Sequence, residues 1–109
     1  MLALGIGEND EVVVPTFTYI ASVNAIKYVN AKPVFVDSDL QTWQIDASKI
    51  RSKITKKTKA IMAVHIYGHP CDMKQIKKLA DEFKLFIVED CAEAIGSYYD
   101  TKHAGSFSD

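Results

Sequence analysis

The stretch LFIVEDCAEA, Leu85 to Ala94, decides how the rest of the chain is read. Leu85 to Val88 are all apolar and read as a buried strand that runs straight into Glu89 and Asp90. A third carboxylate, Glu93, follows three residues later. Near-continuous apolar strands fit a parallel sheet covered on both faces better than a half-exposed antiparallel one. In open parallel sheets, ligands bind outside the carboxyl ends of the strands, which is where this strand delivers its acids.

The same grammar extends in both directions. EVVVP (Glu11 to Pro15) is short, β-branched and apolar, a strand. Ile20 to Val29 reads as a helix with Ile20, Val23 and Ile26 on one face, and KPVFVD (Lys32 to Asp37) as a second strand. Asp46 has the character of a helix N-cap, with Ile45 and Ile50 at hydrophobic-staple spacing. Ala60 to Gly68 holds a third strand. Asp72 caps the next helix, with Gln75 at the capping-box position and Met73, Ile76, Leu79, Ala80 and Phe83 as its apolar stripe. After Asp90, IGSYYDTKHAGSFSD reads as a short hairpin turning near Asp100 and Thr101. Strands alternating with helices predict an α/β fold: a mostly parallel sheet with helices on both faces. MLALGIG resembles the tail of a helix, and no closing helix precedes Asp109, so the expectation is a segment of a longer protein.

Composition narrows the classes. The chain has 109 residues, 48% of them hydrophobic and 25% charged, with a net charge of −1, enough for one modest domain of ordinary globular make-up. That balance gives no electrostatic reason to expect nucleic acid or a membrane surface as partner. The basic run RSKITKKTK (Arg51 to Lys59) reads as a solvated helix end and loop. No apolar stretch approaches a membrane span, and MLALGIGEND lacks the build of a signal peptide. Cys71 and Cys91 form no CxxC pair and read as reduced thiols of a cytoplasmic protein.

Four strand ends meet on one rim: Pro15 to Tyr19, Asp37 to Asp39, His65 to Gly68, and Glu89-Asp90. A carboxylate there can hold a cationic ring nitrogen, and a flat aromatic from a neighbouring loop can stack on that ring. Pyridoxal phosphate is tuned by such a pair. The plainer readings are that Asp90 caps a turn, Tyr19 is a core aromatic, and Glu93 is a helix-start acid. Glu89 faces the other side of its strand by alternation; it has no catalytic role, and its replacement is expected to be nearly silent. His65, His69 and Cys71 form H-x3-H-x-C, but strand and loop separate them and no second ligand pair appears, so no metal is expected. Cys91 reads as a small filler and Trp43 as a packing residue under the loop before Asp46. A phospho-acceptor receiver module also places aspartates at strand ends, but it needs an acidic pair after its first strand, and EVVVPTFTY has none.

The stretches EVVVPTFTYIASVNAI, KPVFVDSDLQTWQID, TKAIMAVHIYGHPCDM and VEDCAEAIGS, in this order and spacing, closely resemble the DegT/DnrJ/EryC1/StrS family of pyridoxal-phosphate sugar aminotransferases. The resemblance runs from about Gly7 to Asp109. It implies that residues 1–109 are part of the cofactor-binding large domain of the fold-type I aminotransferase fold. It further implies that Asp90 pairs with the pyridine nitrogen, that Tyr19 stacks on the cofactor ring, and that Glu93 lies by the ring oxygen or the substrate. The Schiff-base lysine is expected beyond Asp109 and the phosphate-binding turn before Met1, so the segment alone is expected to be inactive. The implied substrates are a nucleotide-linked sugar and glutamate, and the implied parent is a homodimer. A dehydratase branch of the family uses the same cofactor and remains open, as does an inactive α/β segment. His69-Pro70 departs from the family's usual glutamine-bearing loop.

Overall fold

The structure, a computed structural model, describes residues 1–108; Asp109, the last residue of the expected domain, lies outside them. Its centre is a four-stranded, wholly parallel sheet: β1 (Glu11–Pro15), β2 (Lys32–Val36), β3 (Thr58–Val64) and β4 (Phe86–Asp90), in the order β2-β1-β3-β4. Three helices cross over the sheet: α1 (Ile20–Lys27), α2 (Ala47–Ile50) and α3 (Met73–Phe83). β1 and β3, flanked on both sides, are buried along most of their length, which is why their sequences read as unbroken apolar runs.

Side-chain alternation divides the core into two layers. Val12, Val14, Ala60, Met62 and Val64 face α1, where they meet Ile26, with Val23 against the edge of the cluster. Val13, Ile61, Ala63 and Ile87 face α2 and α3, where they meet Ile50, Met73, Ile76, Leu79 and Ala80. Helices therefore lie on both faces of the sheet, as alternation of strand and helix predicts. The periodicity of α1 is less clean than expected, since Ile20 is largely exposed and the buried residue of its first turn is Ser22.

The two predicted caps are present. Asp46 accepts from the Ser48 N–H at 3.0 Å, and Ile45 and Ile50 are both buried in one cluster. Asp72 accepts from the Gln75 N–H at 3.1 Å and from the Gln75 side chain at 2.7 Å. Phe83 ends the α3 stripe at the surface, where the Arg51 guanidinium covers its ring at 5.2 Å. Arg51 also forms a two-pronged pair with Glu82, both contacts at 2.6 Å; the basic side chains of the run are exposed as expected, but Thr58, buried, and Lys59 already belong to β3 rather than to a loop. The hairpin forms from β5 (Tyr98–Tyr99) and β6 (Lys102–His103), with Asp100 left-handed at its turn. Leu2–Leu4 form a single 3-10 turn. Among the described residues no helix is long and apolar enough to cross a membrane.

Candidate functional site

The loop leaving β1 carries Phe17, Thr18 and Tyr19 into α1. Tyr19 is the N-cap of that helix with extended backbone, and its ring stands 74% exposed at the carboxyl rim. Three residues on, in the first turn of α1, Ser22 is only 3% exposed and donates its hydroxyl to Asp90 Oδ2 at 2.6 Å. The Thr18 hydroxyl lies 3.1 Å from the Ser22 hydroxyl and completes a short relay. Asp90 is the last residue of β4, and its other oxygen, Oδ1, accepts the Ala92 N–H at 3.2 Å. Its carbonyl accepts the His65 N–H at 3.1 Å, which fixes the strand end against β3.

Glu93 lies on the turn after β4. Its Oε2 accepts the Tyr67 N–H at 2.6 Å, and Tyr67 is held left-handed at φ 55°. A bulky residue pays about 1–2 kcal/mol for that conformation, and the carboxylate is what holds it there. Gly68 follows at φ 80°; a Cβ there would stand 3.2 Å from the Glu93 carbonyl, so the tight return of the loop needs glycine. Tyr19, Ser22, His65, Asp90 and Glu93 line one cavity of about 410 Å3. Two larger clefts, of about 530 and 560 Å3, lie toward α3 and the hairpin, and neither includes Asp90.

On the underside of the same strand end is a second polar group. Glu89 does face away from Asp90, as alternation predicts, but it is buried and fully partnered rather than idle in the fold. Its side chain is 1% exposed and meets the fully buried His65 ring, Nε2 to Oε2, at 3.1 Å. Oε2 also accepts the Gly105 N–H and Oε1 the Phe107 N–H, both at 2.7 Å. Burial pushes the Glu89 carboxyl up, but the Gly105 N–H, the His65 ring and the Phe107 N–H outweigh it and hold it below the usual glutamate range. His65 Nδ1 accepts the Cys71 N–H at 3.0 Å, so the ring hydrogen belongs on Nε2, aimed at Glu89.

Gln44, unremarked in the sequence, is 3% exposed and clasps the backbone of Ile66, accepting its N–H at 3.1 Å and donating to its carbonyl at 3.0 Å. The Cys71 thiol sits against the Val64 carbonyl at 3.2 Å, and burial pushes its pKa up to about 12, which leaves it inert. Burial, then the Glu89 and Asp90 charges, also raise Cys91, which disfavours its thiolate form. Trp43 differs from expectation: it is more than half exposed, left-handed at φ 66°, and packs on Phe17 at 5.5 Å rather than beneath its loop.

His65, Glu89 and Cys91 bring donor atoms within 4.8 Å of one another, a different trio from H-x3-H-x-C. Both nitrogens of His65 and both oxygens of Glu89 are already engaged by N–H contacts, so this group does not suit a cation. The donor set of the cavity does suit pyridoxal phosphate. It pairs a strand-end carboxylate with an exposed tyrosine ring, and the two donors on Asp90, the Ser22 hydroxyl and the Ala92 N–H, fix the direction of the carboxylate.

A parallel sheet with an acid at the end of β4 and an aromatic on the loop leaving β1, with β3 between them, is of the α/β class, in which small molecules bind at the carboxyl rim. The family narrows this class: residues 1–109 match the DegT/DnrJ/EryC1/StrS aminotransferase family throughout, and the chain belongs to that family. It is 66% identical over 109 residues to GDP-perosamine synthase of Escherichia coli O157:H7, covering 100% of this chain and 30% of that protein. It is 50% identical over 107 residues to dTDP-3-amino-3,6-dideoxy-alpha-D-galactopyranose transaminase of Aneurinibacillus thermoaerophilus, covering 98% of this chain and 30% of the relative. Among solved structures, ntda of Bacillus subtilis with bound cofactor PMP superimposes with a TM-score of 0.87 at 40% identity, over 89% of this chain and 22% of that one. The chain thus spans about 30% of the length of the curated relatives it matches.

Proposed function

We propose that residues 1–109 are the cofactor-contacting part of the large domain of a longer pyridoxal-phosphate aminotransferase. That enzyme acts on a nucleotide-linked 4-keto-6-deoxy sugar in the manner of a perosamine synthase, with glutamate as amino donor, as a cytoplasmic homodimer. The observation that carries this reading is the single cavity lined by Tyr19, Asp90 and Glu93. The 66% identity to a GDP-perosamine synthase supports the choice of sugar.

When bound, pyridoxal phosphate supplies the electron sink for moving an amino group between glutamate and the keto carbon. Asp90 holds the proton on the pyridine nitrogen by charge and hydrogen bond. The Ser22 hydroxyl and the Ala92 N–H keep the Asp90 carboxylate from rotating, so its remaining lone pairs stay aimed into the cavity. Tyr19, exposed at the rim, would hold the bound ring by stacking on it and shield it from water. Glu93, fixed at one oxygen by the Tyr67 N–H, accepts a hydrogen bond from the ring oxygen or the sugar.

The test is the full-length protein incubated with GDP-4-keto-6-deoxymannose and glutamate. The expected result is a bound-cofactor absorbance band and stoichiometric formation of the 4-amino sugar. A protein that binds no pyridoxal phosphate, or that yields a deoxygenated instead of an aminated sugar, would overturn the reading.

A further inference from the structure

We propose that Glu89 and His65 form a positioning pair that sets where Asp90 stands; the inference rests on the cofactor role of Asp90 given above. Leu85, just before β4, and Ile87 and Glu89 within it share one parity, and the first two are buried in the α2–α3 core. The third position of a buried row is thus a carboxylate, 1% exposed. Removing a charge from water is costly unless its oxygens are matched by donors. The donors come from outside β4: the His65 ring at the end of β3, and the Gly105 and Phe107 N–H groups, 16 and 18 residues further along the chain. One side chain therefore joins three segments at a point directly beneath Asp90.

His65 ties the same point twice. Its backbone N–H holds the Asp90 carbonyl, and its ring N–H holds the Glu89 carboxylate. The Cys71 N–H, donating to Nδ1, keeps the ring from flipping. The turn that Glu89 captures also runs close to the residue beyond Asp90: Gly105 has φ 89°, and a Cβ added there would be 3.2 Å from Cys91 Sγ. Ser22 and Ala92 aim the Asp90 carboxylate from the cavity side, while Glu89 and His65 set the height and register of its backbone from below.

Charge is essential to this arrangement. The carboxylate accepts from three N–H donors with two oxygens. Glutamine has the same shape, but its NH2 would face at least one of those donors, replacing attraction with a clash of hydrogens. Glu89→Gln releases the turn and the strand end together, and Asp90 moves with them.

The experiment uses the full-length protein carrying Glu89→Gln, with Glu82→Gln, at the exposed Arg51 pair, as control. Amide hydrogen exchange without cofactor is read at His65 and Ala92, whose N–H groups end on Asp90, and at Leu79 and Ala80 in α3. The expected result is at least tenfold faster exchange at His65 and Ala92 in Glu89→Gln, with α3 unchanged. In the holoenzyme, kcat per bound cofactor should fall at least tenfold, with KM for the sugar within twofold. Adding Asp90→Asn should then cost little more, because both changes act through one group. Unchanged exchange at Ala92, equal acceleration in α3, or losses that multiply fully with Asp90→Asn would overturn the proposal. If Glu89→Gln does not fold, Glu89→Asp keeps the charge but is too short to span every donor, and the same two amides decide. Exchange is measured without cofactor, so it decides this proposal even if the unsubstituted protein fails to bind pyridoxal phosphate, which would count against the aminotransferase reading alone.

Discussion

Replacing Asp90 by asparagine separates the scaffold role of this side chain from its chemical one. In the structure both carboxylate oxygens accept, Oδ2 from the Ser22 hydroxyl at 2.6 Å and Oδ1 from the Ala92 N–H at 3.2 Å. An asparagine can keep its oxygen on Ala92 and turn its NH2 toward Ser22, provided the Ser22 hydroxyl becomes an acceptor. The Thr18 hydroxyl, 3.1 Å away, can take the displaced hydrogen. One hydrogen bond is exchanged for another, so the fold should lose only about 1 kcal/mol. The cofactor loses more, because a hydrogen bond to a charged group contributes about 1.5–3 kcal/mol. At about 1.36 kcal/mol per decade of rate, kcat should fall about 10–150-fold. The loss belongs to the chemical step, so KM for the sugar should change little. The assay is steady-state kinetics of the full-length variant with the nucleotide-linked keto sugar and glutamate, normalised to cofactor absorbance, alongside a thermal melt. A fully loaded Asn variant with the parental kcat would refute the assignment of Asp90, and a collapse of folding would show that Asp90 is chiefly a scaffold residue.

Other expectations follow from the core and the turns. Ile76→Ala removes a wholly buried side chain between α3 and the sheet, and chemical denaturation of the full-length protein should show a loss of about 2–5 kcal/mol. Gly105→Ala places a methyl group 3.2 Å from Cys91 Sγ in a left-handed backbone, which should cost at least about 1–2 kcal/mol in the same assay. Glu89, Asp46 and Asp72 are all held below their ordinary values in the folded state. Their stabilisation is therefore complete above the ordinary carboxylate range and is lost as pH falls through the depressed folded values. Melting temperature should fall steeply on acidification, and less steeply in Glu89→Gln. The 109-residue polypeptide expressed alone exposes Leu40 at 93% and Ile95 at 92%, and β2 forms an open edge with Phe35 partly bare. It should self-associate in sedimentation velocity, whereas a soluble monomer that melts sharply would contradict this.

The strands were legible because each is a short β-branched or apolar run, and in a doubly covered parallel sheet such runs have little alternative. Asp46 and Asp72 were legible because capping is local: donor and acceptor lie two or three residues apart. The approach of Tyr19 and Asp90 to one rim was legible from strand ends, since parallel strands deliver their carboxyl ends there, whereas Glu93 was placed beside them only by the family resemblance. Ser22 was not, because its partner lies across the sheet and serine in a helix carries no such signal. Glu89 could have been found. Leu85 and Ile87 mark the buried parity of β4, and a carboxylate at the next position of that parity demands donors, although nothing local says they are Gly105 and Phe107. Gln44 left no trace, because its partner is the backbone of a distant loop.

The bond from Ser22 to Asp90 joins residues 68 apart in sequence, and the strand order β2-β1-β3-β4 places β3 between the elements that carry them. Neither the first half of the chain nor the last can therefore build the Ser22–Asp90 pair by itself. β3 must insert beside β1, and β4 must dock on β3, before the serine and the aspartate meet. Pairing of this kind closes large loops before any contact rewards it, and is slow for that reason. The binding cavity should consequently be absent from early folding species and should appear only as the last strand docks. Cofactor added during refolding would then leave the early collapse untouched and would trap the finished sheet. The yield of native protein would rise with cofactor concentration, while the rate of the first folding phase stayed the same.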